Sequence, residues 1–198
     1  MASPMAADDA IRAHFDEGAS NYDDWWLGTG RFAERERPGW HDEVAQLVTL
    51  VRDLPPARVL DVACGTGFLT QHLRGEITGL DQSAAMLEIA AARMPRARIV
   101  QGEALPLPFA DGEFDRVFTS HFFHHLPVDG RAAFVKEALR VARELVVVED
   151  VRRPDAPAEQ SHGHAHRHAF TAVELAAELG GGARVLHSGR WFAIVASS

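Results

Sequence analysis

Arg58 to Gly67 reads RVLDVACGTG, and FLTQHLR follows at Phe68 to Arg74. An apolar run closes on Asp61 and breaks into a turn with glycine at 65 and 67. The run is too short for a helix and lies between proline and glycine, so Val59 to Val62 reads as a parallel strand buried on both faces. The glycines accept unusual φ and let a bound molecule lie against bare backbone. FLTQHLR reads as the start of a helix, whose first amides would face a ligand accepting hydrogen bonds.

Working outward, strand and helix alternate. Downstream, Glu76 to Leu80 is a strand ending at Asp81, and Ser83 caps a helix from Ala84 to Arg93 that Pro95 stops. Arg98 to Gln101 is a third strand; a loop from Gly102 to Glu113 leads to a fourth, Phe114 to Thr119, which ends in SHFFHHLP. Asp129 to Arg143 has helical spacing and Leu145 to Glu149 is a fifth, fully buried strand. Thr171 and Glu174 have capping-box spacing at the head of a helix ending at Leu179, before three glycines. Ala183 to His187 and Trp191 to Ala196 form an antiparallel hairpin across Ser188-Gly189-Arg190. Upstream, Pro38 to Arg52 is helical, residues 1 to 10 read as a mobile tail, and Ile11, Phe15 and Ala19 recur every four residues. Three of the four tryptophans, Trp25, Trp26 and Trp40, precede residue 41, so this aromatic segment is either a lid over a cleft or a cap on the flank of the sheet. The expected architecture is α/β: a Rossmann-like, seven-stranded, mostly parallel sheet with helices on both faces and a C-terminal antiparallel hairpin. Residues 1–198 are expected to form one domain, with 1–52 a helical lid or cap and 53–198 the core.

Composition narrows the function. A net charge of −8 without a basic cluster argues against a nucleic-acid partner. The single cysteine, Cys64, excludes an internal disulfide and fits a reducing compartment. No apolar run is long enough to span a membrane and the N-terminus lacks a signal-peptide pattern, so no membrane insertion and a cytoplasmic location are expected.

Sheets of this kind bind ligands at the carboxyl ends of their strands, where strand order reverses. The residues there are Asp61 to Gly67, Asp81, Glu103, the 120s and Glu149-Asp150. A carboxylate such as Asp81 suits the paired hydroxyls of a ribose, and Glu103 an adenine amino group. A nicotinamide-dependent oxidoreductase is the rival reading, but its fingerprint wants a third glycine where this chain has Thr70, and Asp81 follows Gly65 sooner than that fingerprint expects.

VLDVACGTG, then GLDQSAAML, QGEALPLPFADGEFD and SHFFHHL, together resemble the class I S-adenosylmethionine-dependent methyltransferases. The likeness is to the small-molecule branch related to the ubiquinone and menaquinone biosynthesis methyltransferases. It covers residues 10 to 150 and extends to the terminal helix and hairpin. It implies S-adenosylmethionine as cofactor, S-adenosylhomocysteine as product and a small-molecule methyl acceptor with an oxygen, nitrogen or carbon nucleophile. By position, Asp61, Ala63, Gly65 and Gly67 would surround the methionine part, and Asp81 would hold the ribose. Gln82, Glu103 and Ala104 would meet the adenine, and Met86 joins the cofactor-binding set. Ser120 and His121 would lie under the sulfonium, with Tyr22 near the methionine end.

For an acceptor that needs deprotonation, His121, His124 and His125 are the candidate bases, because imidazole titrates in the useful range; the alternative the resemblance implies is that the paired histidine shapes the cofactor pocket. His162, His164, His166 and His168 lack the separated ligands and rigid frame of a zinc site and read as a substrate-side loop, with no metal expected. A non-catalytic cofactor-binding regulator or scaffold stands as the alternative of another class.

Overall fold

The computed structural model describes residues 12–151 and 170–198. The expected N-terminal tail and the four histidines from 162 to 168 lie outside the described residues. Strands β1 (Ala57–Val62), β2 (Gly75–Asp81), β3 (Arg98–Gln101), β4 (Arg116–Ser120), β5 (Glu144–Asp150), β6 (Arg184–Ser188) and β7 (Phe192–Ser197) form one sheet in the order β3-β2-β1-β4-β5-β7-β6. The first five pair in parallel, and β7 runs antiparallel between β5 and β6. Strand order reverses between β1 and β4, so their carboxyl ends open a crevice there.

The helices are α1 (12–18), α2 (Asp24–Leu27), α3 (Trp40–Asp53), α4 (Ala84–Arg93), α5 (Val128–Val141) and α6 (Ala172–Leu179). Their packing follows the period of two along the strands. Val59, Phe118, Val146 and Val148 face Leu47 and Val51 of α3 and the tryptophans. Leu60, Val62, Val117, Leu145 and Val147 face Phe134, Ala138 and Val141 of α5 and Leu175 and Leu179 of α6. Both caps form as the spacing predicts: the Ser83 hydroxyl accepts from the Met86 amide at 3.2 Å, and Thr171 and Glu174 close a reciprocal capping box.

The first crossover departs from expectation. FLTQHLR forms only a 3-10 turn, Thr70–His72, and no helix starts behind the glycine turn. Only residues 63–74 connect β1 to β2, and the glycine turn consumes the first of them. Leu69 and Leu73 still reach the α3 face of the sheet, so burial of this apolar pair needs one turn and no more. With no helix there is no helix N-terminus, and the amides of the turn are committed locally: Gly67 N–H donates to the Cys64 carbonyl and Gly65 N–H to Asp81.

Candidate functional site

At the end of β1 the chain turns through Ala63, Gly65 and Gly67, all at positive φ (58°, 53° and 75°). The turn is tied to the end of β2, where Asp81 accepts from Gly65 N–H at 2.8 Å through one oxygen and from Ser83 N–H at 2.9 Å through the other. Burial raises the Asp81 carboxyl above its ordinary value, opposed by the amides of Ser83, Gly65 and Gln82. Asp61 lies beneath the turn, fully buried. Its Oδ2 accepts from the Thr70 hydroxyl at 2.5 Å, while its Oδ1 has no hydrogen-bond partner. Burial pushes this carboxyl up to about 8, against the pull of Thr70. Thr70 stands where a dinucleotide fingerprint would have its third glycine, and here its hydroxyl has a partner of its own.

Alternation along β5 sorts the histidines that follow β4. Asp150 shares the aromatic face with Val146 and Val148; Glu149 shares the opposite face with Val147. His121, at φ 54°, places Nδ1 3.4 Å from Asp150 Oδ1. Its ring lies 4.5 Å from Trp25, 4.7 Å from Trp26 and 5.8 Å from Phe192. His124 instead sets Nδ1 2.6 Å from Glu149 Oε2, and its own amide donates to Glu149 Oε1 at 3.2 Å. Burial works to raise the Glu149 carboxyl, but His124 and then His121 outweigh it and the net position is below ordinary. His125 packs its ring 4.0 Å from His124 and 6.0 Å from Phe15.

A shallow cleft, partly open to solvent, is lined by Tyr22, Trp26, Ala63, Cys64, Gly65, Thr66, Phe68, Leu69, Ser120 and His121. Its roof is the N-terminal segment, attached at two points. Asp16 of α1 accepts from the Ser83 hydroxyl at 2.5 Å and the Ala85 amide at 3.3 Å, at the head of α4. Asp23 accepts from the Thr66 hydroxyl at 2.6 Å and pairs with Arg93, whose guanidinium also donates to the Thr66 carbonyl at 2.9 Å. Tyr22 is held between these attachments; burial first, then Asp81, Asp150, Asp23 and Glu149, raise its phenol well above its ordinary value.

Of the residues singled out in the sequence, the structure gathers Tyr22, Ala63, Gly65, Ser120 and His121 around the cleft, with Asp61, Gly67 and Asp81 adjoining through the turn. Gln82 and Met86 lie at the head of α4, where the Gln82 carbonyl accepts from Gln101. Ala104 packs on the core and Glu103 is exposed in the loop after β3, away from the cleft lining. Trp26, Phe68 and Leu69 line the cleft without having been named as site residues, while Thr66 falls inside the Asp61 to Gly67 turn read from the sequence. The tryptophan pair carried a signal in its aromatic density; the Asp23 to Arg93 tie, between distant segments, carried none.

Residues 59–144 match the family described as "Methyltransferase domain". A demethylmenaquinone methyltransferase of Thermotoga maritima is 36% identical over 112 residues, covering 52% of this chain and 48% of the relative. Residues 59–144 are a methyltransferase domain similar to those of the class I S-adenosylmethionine-dependent methyltransferases. A trans-aconitate 2-methyltransferase of Deinococcus radiodurans is 34% identical over 142 residues, covering 68% of this chain and 51% of the relative, so the chain spans about half the length of these curated relatives. Among solved structures, the DhpI-SAM-HEP complex superposes with a TM-score of 0.70 at 19% identity, covering 99% of each chain.

The cleft fits S-adenosylmethionine at the point where fit can be tested. S-adenosylmethionine carries an α-ammonium, and the orphaned Asp61 Oδ1 beneath a glycine turn is a buried acceptor matched to such a donor. Among the described residues no group of three His, Cys, Asp or Glu is placed to hold a metal ion, and no helix is long and apolar enough to cross a membrane.

Proposed function

We propose that the chain transfers the methyl group of S-adenosylmethionine to a small-molecule acceptor held between the N-terminal segment and the ends of β1, β4 and β5. When bound, the cofactor supplies a methyl group on a positively charged sulfur, an electrophile that needs no further activation. The observation that carries the reading is the unpartnered Asp61 oxygen under the turn of Ala63, Gly65 and Gly67. These residues hold the methionine end, and Asp81 accepts from the ribose through the lone pairs its amide bonds leave over. Gln82, Met86, Glu103 and Ala104 bound the adenine, and Ser120 and His121 lie beneath the reacting sulfur.

The chain's main contribution is orientation. Holding two reactants in line can supply about 7 to 11 kcal/mol of barrier reduction. Tyr22 and Trp26 wall the cleft on the side of the N-terminal segment. Among the three candidate bases, the support favours His121, which lines the cleft, whereas His124 is engaged by Glu149 and His125 packs beneath Phe15.

Calorimetric titration with S-adenosylmethionine and S-adenosylhomocysteine, with NADH as control, tests the cofactor. Micromolar binding of the first two and silence from NADH is the expected result; binding of NADH alone would overturn the assignment. Asp81→Ala is expected to weaken binding of both, and full affinity in that variant would remove Asp81 from the site.

A further inference from the structure

The head of α4 carries more than its own cap. The Ser83 hydroxyl accepts from the Met86 amide at 3.2 Å, the bond that starts the helix, and the local sequence asks for no second cap. Asp16 of α1, 67 positions upstream, nevertheless lies there too, accepting from the Ser83 hydroxyl at 2.5 Å and from the Ala85 amide at 3.3 Å. A hydroxyl has one proton and two lone pairs. Asp16 takes the proton of Ser83 and the Met86 amide a lone pair, so the rotor is fixed on a residue that is itself fully buried.

Ser83 in turn touches Asp81. Its amide donates to Asp81 Oδ1 at 2.9 Å while Gly65 N–H donates to Oδ2 at 2.8 Å, so each oxygen is gripped from a different element and the carboxylate plane is set. Asp81 is half-buried, and the lone-pair capacity these amides leave over can be reached. Burial first, with the charge of Asp16 adding to it, raises the Asp81 carboxyl against the amides of Ser83, Gly65 and Gln82. Like charges brought together cost energy, so the placing of Asp16 has to be offset by what it holds. The second attachment of the N-terminal segment has the same destination. Asp23 accepts from the Thr66 hydroxyl at 2.6 Å, one residue along from Gly65. Both ties of the segment therefore end at the groups that grip Asp81.

We propose that Asp16 is a positioning residue for the ribose of the cofactor: through Ser83 it holds Asp81 in the orientation that meets the two ribose hydroxyls. This rests on the methyl-transfer reading and adds to it a residue that touches no ligand. The N-terminal segment and the ribose grip then form one unit, because the bond that fastens α1 to the body is also the bond that fixes Ser83 behind Asp81. A residue that only caps α4 or only fastens the segment would support all parts of a ligand alike. A residue that aims Asp81 supports the ribose hydroxyls in particular.

The test uses the full chain, with S-adenosylhomocysteine and its 2′-deoxy analogue titrated by calorimetry. The wild-type chain is expected to bind the ribose form at least about tenfold more tightly, as a hydrogen bond to a charged acceptor allows. In Asp16→Ala that preference is expected to fall to about threefold or less, because the network loses the bond that orients its acceptor. Asp16→Asn keeps a side-chain oxygen for Ser83 and is expected to stay within about twofold of the wild-type preference. Ser83→Ala removes the hydroxyl that Asp16 binds and keeps the amide on Asp81, so it repeats the loss without touching either carboxylate. Equal weakening of both ligands in Asp16→Ala or in Ser83→Ala, with the preference intact, would reduce Asp16 to a cap and overturn the proposal. So would a wild-type chain that binds the two forms alike, since Asp81 would then not hold the ribose. Failure of S-adenosylhomocysteine to bind the wild-type chain at all would sink the methyltransferase reading itself, which is a different result from a lost preference.

Discussion

His121 and His124 are three residues apart, and the pleat of the neighbouring strand gives them opposite tasks. His124 and Glu149 form a buried pair in which each removes the cost of burying the other, while His121 meets Asp150 on the side that faces the cleft. Removing one partner of a buried pair strands the other charge, at a cost of about 3 to 5 kcal/mol. His124→Ala is therefore expected to lose stability of that order in urea unfolding, with a loss under about 1 kcal/mol contradicting the pairing. The sequence showed three histidines at a strand end and could not rank them, because their partners lie on β5 and the choice depends on which face each residue meets. Asp61 stood out in the sequence as the acid at the end of an apolar run, but its orphaned oxygen did not, since burial is a property of the assembled sheet. Its carboxyl lies at about 8 in the fold against an ordinary 3.8, so the folded ligand-free chain holds a proton there that the unfolded chain has released. The stability this confers is full below the unfolded value and is lost as pH rises through the folded one, by at most about 1.4 kcal/mol per pH unit. Asp61→Asn cannot titrate, so its stability relative to wild type is expected to rise between about pH 4 and pH 8. A flat difference in urea midpoints across that range would show that Asp61 is ionised throughout.

Local rules carried furthest where an element needs nothing beyond its own sequence. Helix α4 begins and ends where Ser83 and Pro95 say it should, and the capping box of α6 needs only Thr171 and Glu174. FLTQHLR failed because its apolar spacing is served equally by one 3-10 turn, and the short tether between β1 and β2 decided for the turn. The terminal hairpin was legible as a hairpin, but its anchor was not. Glu43 of α3 accepts from the amides of Arg190 at 3.1 Å, Trp191 at 2.9 Å and Phe192 at 2.9 Å. Gly189 permits this approach, since a Cβ there would lie 1.9 Å from Glu43 Oε1. One buried carboxylate thus fixes the start of β7, the strand that covers β5 and its two acidic ends. Glu43→Ala leaves the Trp191 and Phe192 amides buried without an acceptor and is expected to cost about 3 kcal/mol. Amide exchange should localise the loosening to β6 and β7; protection lost evenly over the whole sheet would show that Glu43 does not act on the hairpin.

At the scale of the molecule, five parallel strands bring the acids and the glycine turn to one edge, and residues 12–32 lie across that edge as a roof. The two readings of the aromatic segment, lid or flank cap, merge here: Trp26 packs against Phe68 and Phe192 of the body while Tyr22 lines the cleft. What holds the roof down is polar, with Asp16 on the head of α4 and Asp23 on Thr66 and Arg93. A roof fixed by hydrogen bonds over the cleft can open without unmaking the core, and cofactor must enter beneath it. The Asp23 tie is about one-fifth exposed at each side chain, so screening limits its worth to about 1 kcal/mol. Asp23→Ala is then expected to raise the open population and the dissociation rate of S-adenosylhomocysteine about fivefold. Amides of residues 12–32 should exchange faster while those of β1, β4 and β5 keep their protection. An unchanged dissociation rate, with 12–32 still protected, would mean that the segment is a fixed wall and that ligand enters from another side.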